Sequence, residues 1–363
     1  MKGSRLSSSS GDGIETFLVV GDSIFRQREI KMRHKPILVL LMLAALVVLE
    51  VPAAADSGEI KSTVAEVVDG AVMQWNNTNF AGFYNEIDSE RYTAWGFYEG
   101  GIFGTEEIIM TITEGNVLAE DTGVIYTTEG QNHRFDFEDW GQYMTIGFLA
   151  DEYFAAYVEG SHLFGRSTDA NLMKDEQLSK VLMDDDEEWT FTKNDPLKLK
   201  EGYVLAIKGI DAYGNIWLEL KKDGVVVDSS LLAPSKPYAD ITDKTYVYKK
   251  DMGNTEKIAI IAVHFQGNIF HGTGTSLQDA ATVNAIWQIS DTATCIKEDT
   301  KVDKMTIQTV DADEVTMMIT MTNKDETITL TAGKDIPLMG SIGIRTTAET
   351  PLSFYLYRGE LNR

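Results

Sequence analysis

"GNIWLELKKDGVVVD", Gly214 to Asp228, decides the fold class. Ile216, Leu218 and Leu220 alternate with Trp217, Glu219 and Lys221, the period-two pattern of a strand with one buried face. Asp223-Gly224 interrupts the alternation, and Val225 to Val227 resume it. Asp-Gly tolerates the positive φ angles of a tight hairpin turn, so the stretch predicts two antiparallel strands. "TMMITMTNKDETITLTAG", Thr316 to Gly333, repeats the arrangement, with Met317, Ile319 and Met321 on one face, a turn near Asn323 to Asp325, and then Ile328 and Leu330.

Further short apolar runs follow the same rule: "EEIIMTI", "TGVIYTT", "YMTIGFLA", "TYVYKK", "KIAIIAVHF", "AIWQIS" and "LSFYLYRG". Many short strands at even spacing predict an all-β protein built of β-sandwiches. Helical signal is thin. Leu178 and Leu182 in "DEQLSKVLM" predict a turn or two of helix, and "SLQDAATVNAI" predicts another.

An internal repeat emerges when the strands are aligned. Leu197, Leu199, Gly202, Leu205 and Ile207 correspond to Ile328, Leu330, Gly333, Ile336 and Leu338 at a constant offset of 131 residues. "YMTIGFLADEYFAAY" and "IAIIAVHFQGNIFHG" give a weaker echo. Two related β-sandwich subdomains are therefore expected. In the nested arrangement residues 186–295 form one sandwich, and residues 56–185 plus 296–363 form the other. The alternative is a sequential split near residue 235, in "APSKPYAD".

The N-terminus reads as a targeting segment. Arg33, His34 and Lys35 precede an apolar run of 13 residues, Ile37 to Leu49, and then Ala53-Ala54-Ala55. A basic start, a short apolar centre and an A-x-A site define a secretory signal peptide over 32–55. Thirteen residues fall short of the roughly 20 that cross a bilayer, so no membrane-spanning segment is expected in the mature chain. Residues 1–31, upstream of Met32, read as an extension without a folded role.

The sequence carries a net charge of −24. Residues 1–55 hold seven of its 32 Lys and Arg and five of its 56 Asp and Glu, so the exported remainder stands at −26. Binding to nucleic acid requires Lys and Arg to displace counterions from phosphate, and this charge excludes it. A single cysteine, Cys295, rules out an intramolecular disulfide and reads as a small, semi-buried thiol. Asn76-Asn77-Thr78 is a glycosylation sequon, with Asn76 as the acceptor.

The residues that are candidates for chemistry are few. His264 and His271 would hold zinc only if they met on paired strands with a third ligand; two partly buried, hydrogen-bonded histidines are the expectation. No G-x-S-x-G is present, and Cys295 has no histidine nearby in sequence, so no nucleophilic site is expected and the chain reads as a non-enzyme. Asp184 to Glu188 form an unbroken run of five carboxylates. The run lacks the spacing and the glycine of calcium loops, and reads as a solvated acidic stretch. The alternative is weak Ca²⁺ binding at Asp184, Asp186 and Glu188, which an extended chain points to one side. The aromatic stretch from Trp75 to Gly101 reads as core before it reads as a sugar-stacking platform.

Six motifs in order carry a resemblance: "WNNTNFAGFY" (75–84), "WGQYMTIGFLADEYFAAY" (140–157), "LSKVLMDDDEE" (178–188), the stretch from Pro196 to Gly224, "IIAVHF" (260–265) and "ATVNAIWQISD" (281–291). Together they resemble the surface-layer (S-layer) duplication domain of methanosarcinal archaea, over about residues 64–357. The resemblance implies two β-sandwich subdomains and self-association, or association with other S-layer proteins, in an acidic, porous, glycosylated lattice on the cell surface. It carries over no catalytic residues. Members that build the main lattice resemble two tandem copies followed by a polar tether and a C-terminal membrane helix. One copy lies between residues 64 and 357, so a minor lattice component or a secreted relative is expected. A secreted β-sandwich module that binds glycans or another surface protein is the competing expectation.

Overall fold

The computed structural model describes residues 59–359, apart from 93–97, 159–162, 165–169, 273–277 and 314–316. Residues 1–55 and 56–363 are separate units. In the first, one pair of short strands is described, Val19–Val20 with Ser23–Ile24. The expected extension and signal peptide otherwise lie outside the described residues.

The second unit is nearly all β, as the alternation predicts. Ile216–Lys222 and Val225–Leu232 form the predicted hairpin, with Lys222 opposite Val225 and Ile216 opposite Leu232. Asp223 and Gly224 make the turn at φ 50° and 83°. Leu197–Lys198, Tyr203–Ile210 and this hairpin form a four-stranded antiparallel meander. A second meander comprises Asp335–Met339, Ile342–Thr346 and Ser353–Arg358, with Ile60–Lys61 and Ala65–Glu66 paired to its last strand.

Two larger antiparallel sheets and a two-stranded pair, Asn85–Tyr92 with Tyr98–Gly104, complete the described part of the unit. One orders Gln131–Arg134, Gln142–Phe148, Asp151–Tyr157, Gln177–Asp185, Ala280–Cys295, Thr255–Phe270 and Thr245–Met252 side by side. The other runs through Lys301–Val302, Met305–Ala312, Met317–Thr322, Val124–Glu129 and Glu106–Thr113 to short strands at Val117–Leu118 and Ile328–Thr329.

Buried apolar side chains fall into two clusters. One draws on residues 135–172 and 191–289, the other on 75–178 and 296–356. The repeat contributes equivalent residues to each. Leu197, Leu199, Leu205 and Ile207 lie in the first cluster. Ile328, Leu330 and Leu338 lie in the second, with Ile336 packed against it. Gly202 and Gly333 hold the same left-handed conformation, φ 74° and 68°, which only glycine adopts at little cost. The hairpin Gln142–Tyr157 serves both clusters, with Tyr143, Phe154 and Tyr157 in the first and Ile146, Phe148, Ala155 and Ala156 in the second.

Trp287, fully buried, lies at the middle of the first cluster. Its ring meets Tyr143 at 4.5 Å and Phe135 edge-on at 4.9 Å, and its Nε1 donates to the Tyr157 hydroxyl at 2.8 Å. The two sheets around this cluster are also tied by polar groups. Gln288 accepts from the Lys200 backbone N–H at 2.8 Å and donates to its carbonyl at 3.1 Å. Asp291 accepts from the Tyr203 hydroxyl at 2.8 Å and lies 3.1 Å from Lys250 Nζ.

Three local expectations are corrected. Leu178 and Leu182 belong to the strand Gln177–Asp185, and "SLQDAATVNAI" runs into the strand Ala280–Cys295. These strands pair with each other, and ladder bonding overrides the weak helical spacing. Met317–Thr322 and Ile328–Thr329 do not form a hairpin: the first pairs with Val124–Glu129 and Met305–Ala312, the second with Val117–Leu118. The buried Asn323 side chain redirects the chain, accepting from Val124 N–H at 3.0 Å and donating to Ala119 O at 2.8 Å. Cys295 is exposed, not semi-buried, because it ends its strand.

Candidate functional site

The five-carboxylate run is not a loop between separate elements. Gln177–Asp185 and Trp189–Thr192 pair with successive stretches of one neighbour, Asp185 opposite Ile286 and Trp189 opposite Val283. Asp186 to Glu188 are a break within a continuing strand, exposed to water. Alternation sends the carboxylates different ways. Asp185 accepts from Glu187 N–H at 2.7 Å, and Glu188 accepts from the Gln266 side chain.

Asp184 turns inward, beside Trp287 in register. Its Oδ1 accepts from the Asp136 backbone N–H at 3.2 Å, and its Oδ2 accepts from the Tyr143 hydroxyl at 3.2 Å. His133 Nε2 lies 3.7 Å from the same Oδ2. Strand pairing places these groups: His133 stands opposite Tyr143 on neighbouring strands. Between His133 and Asp136, Phe135 is buried against Trp287 and anchors the segment. Among the described residues, ligand atoms of His133, Asp136 and Asp184 form one cluster, all within 4.8 Å of one another.

Burial pushes the Asp184 carboxyl up to about 8, and the nearby Asp136 charge adds to this; His133, the Asp136 N–H and Tyr143 oppose it. An open depression of about 380 Å³, lined by Glu152, Val181, Leu182, Met183, Asp184, Asp185 and Lys200, connects the carboxylate with solvent. Tyr143 also bridges to Glu152 at 3.3 Å. The structure thus brings Asp184 together with His133 and Asp136, and places Asp186 and Glu188 apart on the exposed break.

Glu106 is a second buried carboxyl, 1% exposed. It accepts from Tyr84 N–H at 2.7 Å, from Ala150 N–H at 2.8 Å and from the Tyr126 hydroxyl at 2.8 Å. Burial raises it to about 7, against the pull of those donors and of Arg358. Every donor comes from the protein itself, which marks a structural staple.

The two histidines considered for zinc follow separate paths. His264 is buried, hydrogen-bonded to Thr245 Oγ1 at 2.9 Å and packed 4.5 Å from the Phe137 ring. Burial lowers it to about 4, so it is neutral near pH 7. His271 is exposed and pairs with Asp279 at 3.2 Å. At the sequon, Asn76 Oδ1 accepts from Thr78 N–H at 2.9 Å and from Thr78 Oγ1 at 2.6 Å, a side-chain turn that follows the strand Val72–Trp75. Trp75, Phe80 and Phe83 from the aromatic stretch are core residues; the side chains of residues 85–104 lie outside the described residues.

His133, Asp136, Tyr143 and Glu106 carry no local motif. His133 and Asp136 reach Asp184 across about 50 residues, and only strand order joins them.

Antiparallel sheets, two buried apolar clusters and stapled polar groups define a β-rich fold. The profile of the S-layer protein family matches residues 64–348, and the chain belongs to that family. It is 30% identical over 339 residues to the Major S-layer protein of Methanosarcina acetivorans, covering 87% of this chain and 45% of that one. The Major S-layer proteins of Methanosarcina mazei and Methanosarcina barkeri are each 27% identical, over 82% and 84% of this chain and 39% and 40% of theirs. The chain therefore spans less than half the length of the relatives it matches.

Proposed function

We propose that this chain is a non-enzymatic structural component of an archaeal S-layer, exported through its N-terminal signal peptide. Copies of it, or it and other S-layer proteins, pack into a porous sheet outside the cell. The match to the S-layer family over residues 64–348 carries the reading. Each buried cluster is the core of one subdomain, and the hairpin Gln142–Tyr157 is shared between them. Excess carboxylates line the gaps between copies, so the pores admit small cations and neutral solutes and disfavour anions.

An exposed strand edge supports lateral packing. Among the described residues, Val225–Leu232 pairs with one strand only and is an edge of its meander. Trp217 stands opposite Leu231 there, 54% and 54% exposed, and Val225, Val226 and Val227 are exposed near the turn. An unpaired edge beside exposed apolar side chains is a ready interface. Purified protein is expected to form ordered sheets under electron microscopy, alone, with divalent cations or with a two-repeat relative. The double variant Trp217→Ser, Leu231→Ser is expected to keep its unfolding midpoint, since both side chains already face solvent in the folded chain, yet to form no sheets. Soluble monomer under every condition, or sheets unaffected by the double substitution, speaks against this packing. A clear saccharide preference on a glycan array would instead favour a binding module that uses exposed Trp217 and Tyr213.

We also infer glycosylation at Asn76, whose turn is accessible beside Thr78. Intact mass of the native protein before and after deglycosylation tests it, and an unmodified peptide spanning Asn76 refutes it.

A further inference from the structure

We propose that His133, Asp136 and Asp184 bind one divalent first-row transition ion of the zinc class. The donor set is one imidazole nitrogen and two carboxylates: His133 and Asp136 from one segment and Asp184 from a strand about 50 residues on, with Phe135 between the first two packed on Trp287. Imidazole suits zinc and its neighbours, whereas calcium seeks six to eight oxygens. Zinc bonds of about 2.0–2.2 Å to nitrogen and oxygen set a ligand-to-ligand spacing of about 3.3 Å in a tetrahedron. His133 Nε2 stands 3.7 Å from Asp184 Oδ2, and the three ligand atoms lie within 4.8 Å of one another. Small side-chain rotations close that difference.

The surroundings suit an ion. Tyr143 donates to Asp184 Oδ2 and the Asp136 N–H to Oδ1, so the inner carboxylate is oriented by outer partners, as ligating carboxylates are. The His133 ring lies 4.8 Å from the Tyr143 ring, which limits its rotation. The fold packs two acidic side chains beside one imidazole, and a divalent charge offsets their repulsion. The depression beside Asp184 and Asp185 opens the Asp184 side of the site to solvent, and Asp136 is itself exposed. Asp186 and Glu188 take no part, which separates this site from binding by the acidic run. The proposal stands independently of lattice assembly.

The test uses the full, untagged chain, stripped with chelator and titrated with Zn²⁺ by calorimetry and with Co²⁺ by visible absorption. One ion per chain is expected, with Co²⁺ bands that Zn²⁺ abolishes. His133→Gln and Asp136→Asn are each expected to weaken binding at least about tenfold, while Asp186→Asn and Glu188→Gln change it less than about twofold. Metal-free circular dichroism checks the fold; should His133→Gln unfold, Asp136→Asn, at an exposed residue, carries the test. No saturable binding at micromolar Zn²⁺, or binding indifferent to both His133→Gln and Asp136→Asn, overturns the site. So does binding lost equally with Asp186→Asn and Glu188→Gln.

Discussion

Trp287→Ala lowers the stability of the folded chain by about 3–5 kcal/mol, the usual cost of emptying a fully buried indole site. The residue is 0% exposed and contacts Phe135, Tyr143, Phe154 and Tyr157. Truncation removes its dispersion contacts and leaves a cavity that β-sheet backbone on either side cannot collapse to fill. It also removes the Nε1 donor to the Tyr157 hydroxyl. Trp287→Phe keeps an aromatic ring in the cluster but lacks the indole N–H, so a smaller loss of about 1–2 kcal/mol is expected, near that of one buried hydrogen bond plus a small void. Urea unfolding followed by circular dichroism measures both. A loss below about 1 kcal/mol for the alanine variant contradicts the central place given to this ring.

Glu106 makes stability fall as pH rises. Its carboxyl titrates near 4.5 when unfolded and near 7 in the folded chain. Because the folded value is the higher one, the folded state keeps a proton that the unfolded state has lost between these limits. The stabilisation is full below about 4.5 and is lost as pH rises through about 7, by about 3 kcal/mol at roughly 1.4 kcal/mol per unit. Asp184 acts in the same direction, so the measurement compares wild type with Glu106→Gln at pH 5 and pH 8. The variant is less stable at both, since its amide meets a backbone N–H of Tyr84 or Ala150 with another donor. The advantage of wild type is expected to shrink by about 2–3 kcal/mol from pH 5 to pH 8. An advantage that stays constant or grows would show that Glu106 remains ionised throughout.

The fold was legible wherever burial follows a local period. Ile216, Leu218 and Leu220 alternate because one face of their strand packs inward, and the Asp223-Gly224 turn fixes register within a few residues. The equivalence of Gly202 and Gly333 was legible for a related reason, since both repeats need the same backbone reversal. Pairing between distant strands left no such trace. Nothing near Met317–Thr322 announces Val124–Glu129 as its partner, and the Asn323 side chain that diverts the chain resembles an ordinary turn asparagine.

The candidate site divides the same way. Asp184 drew attention because it heads a visible acidic run, but the run misassigned its neighbours. His133 and Asp136 are joined to it by sheet order, and Phe135 between them is the only hint of a buried anchor. Family resemblance, carried by six ordered motifs, reached further than any single residue, because it summarises pairings that local patterns do not encode.

The hairpin Gln142–Tyr157 and the strand Gln177–Asp185 also have a mechanical meaning. Backbone passes between the two cores as hydrogen-bonded strand, not as a loose tether, and Leu178 and Val181 on one strand pack toward different cores. Pulling the cores apart along these strands loads many ladder bonds in shear at once, where peeling would break them singly. Separating the two clusters along these strands therefore breaks backbone ladder bonds and does more than stretch a linker.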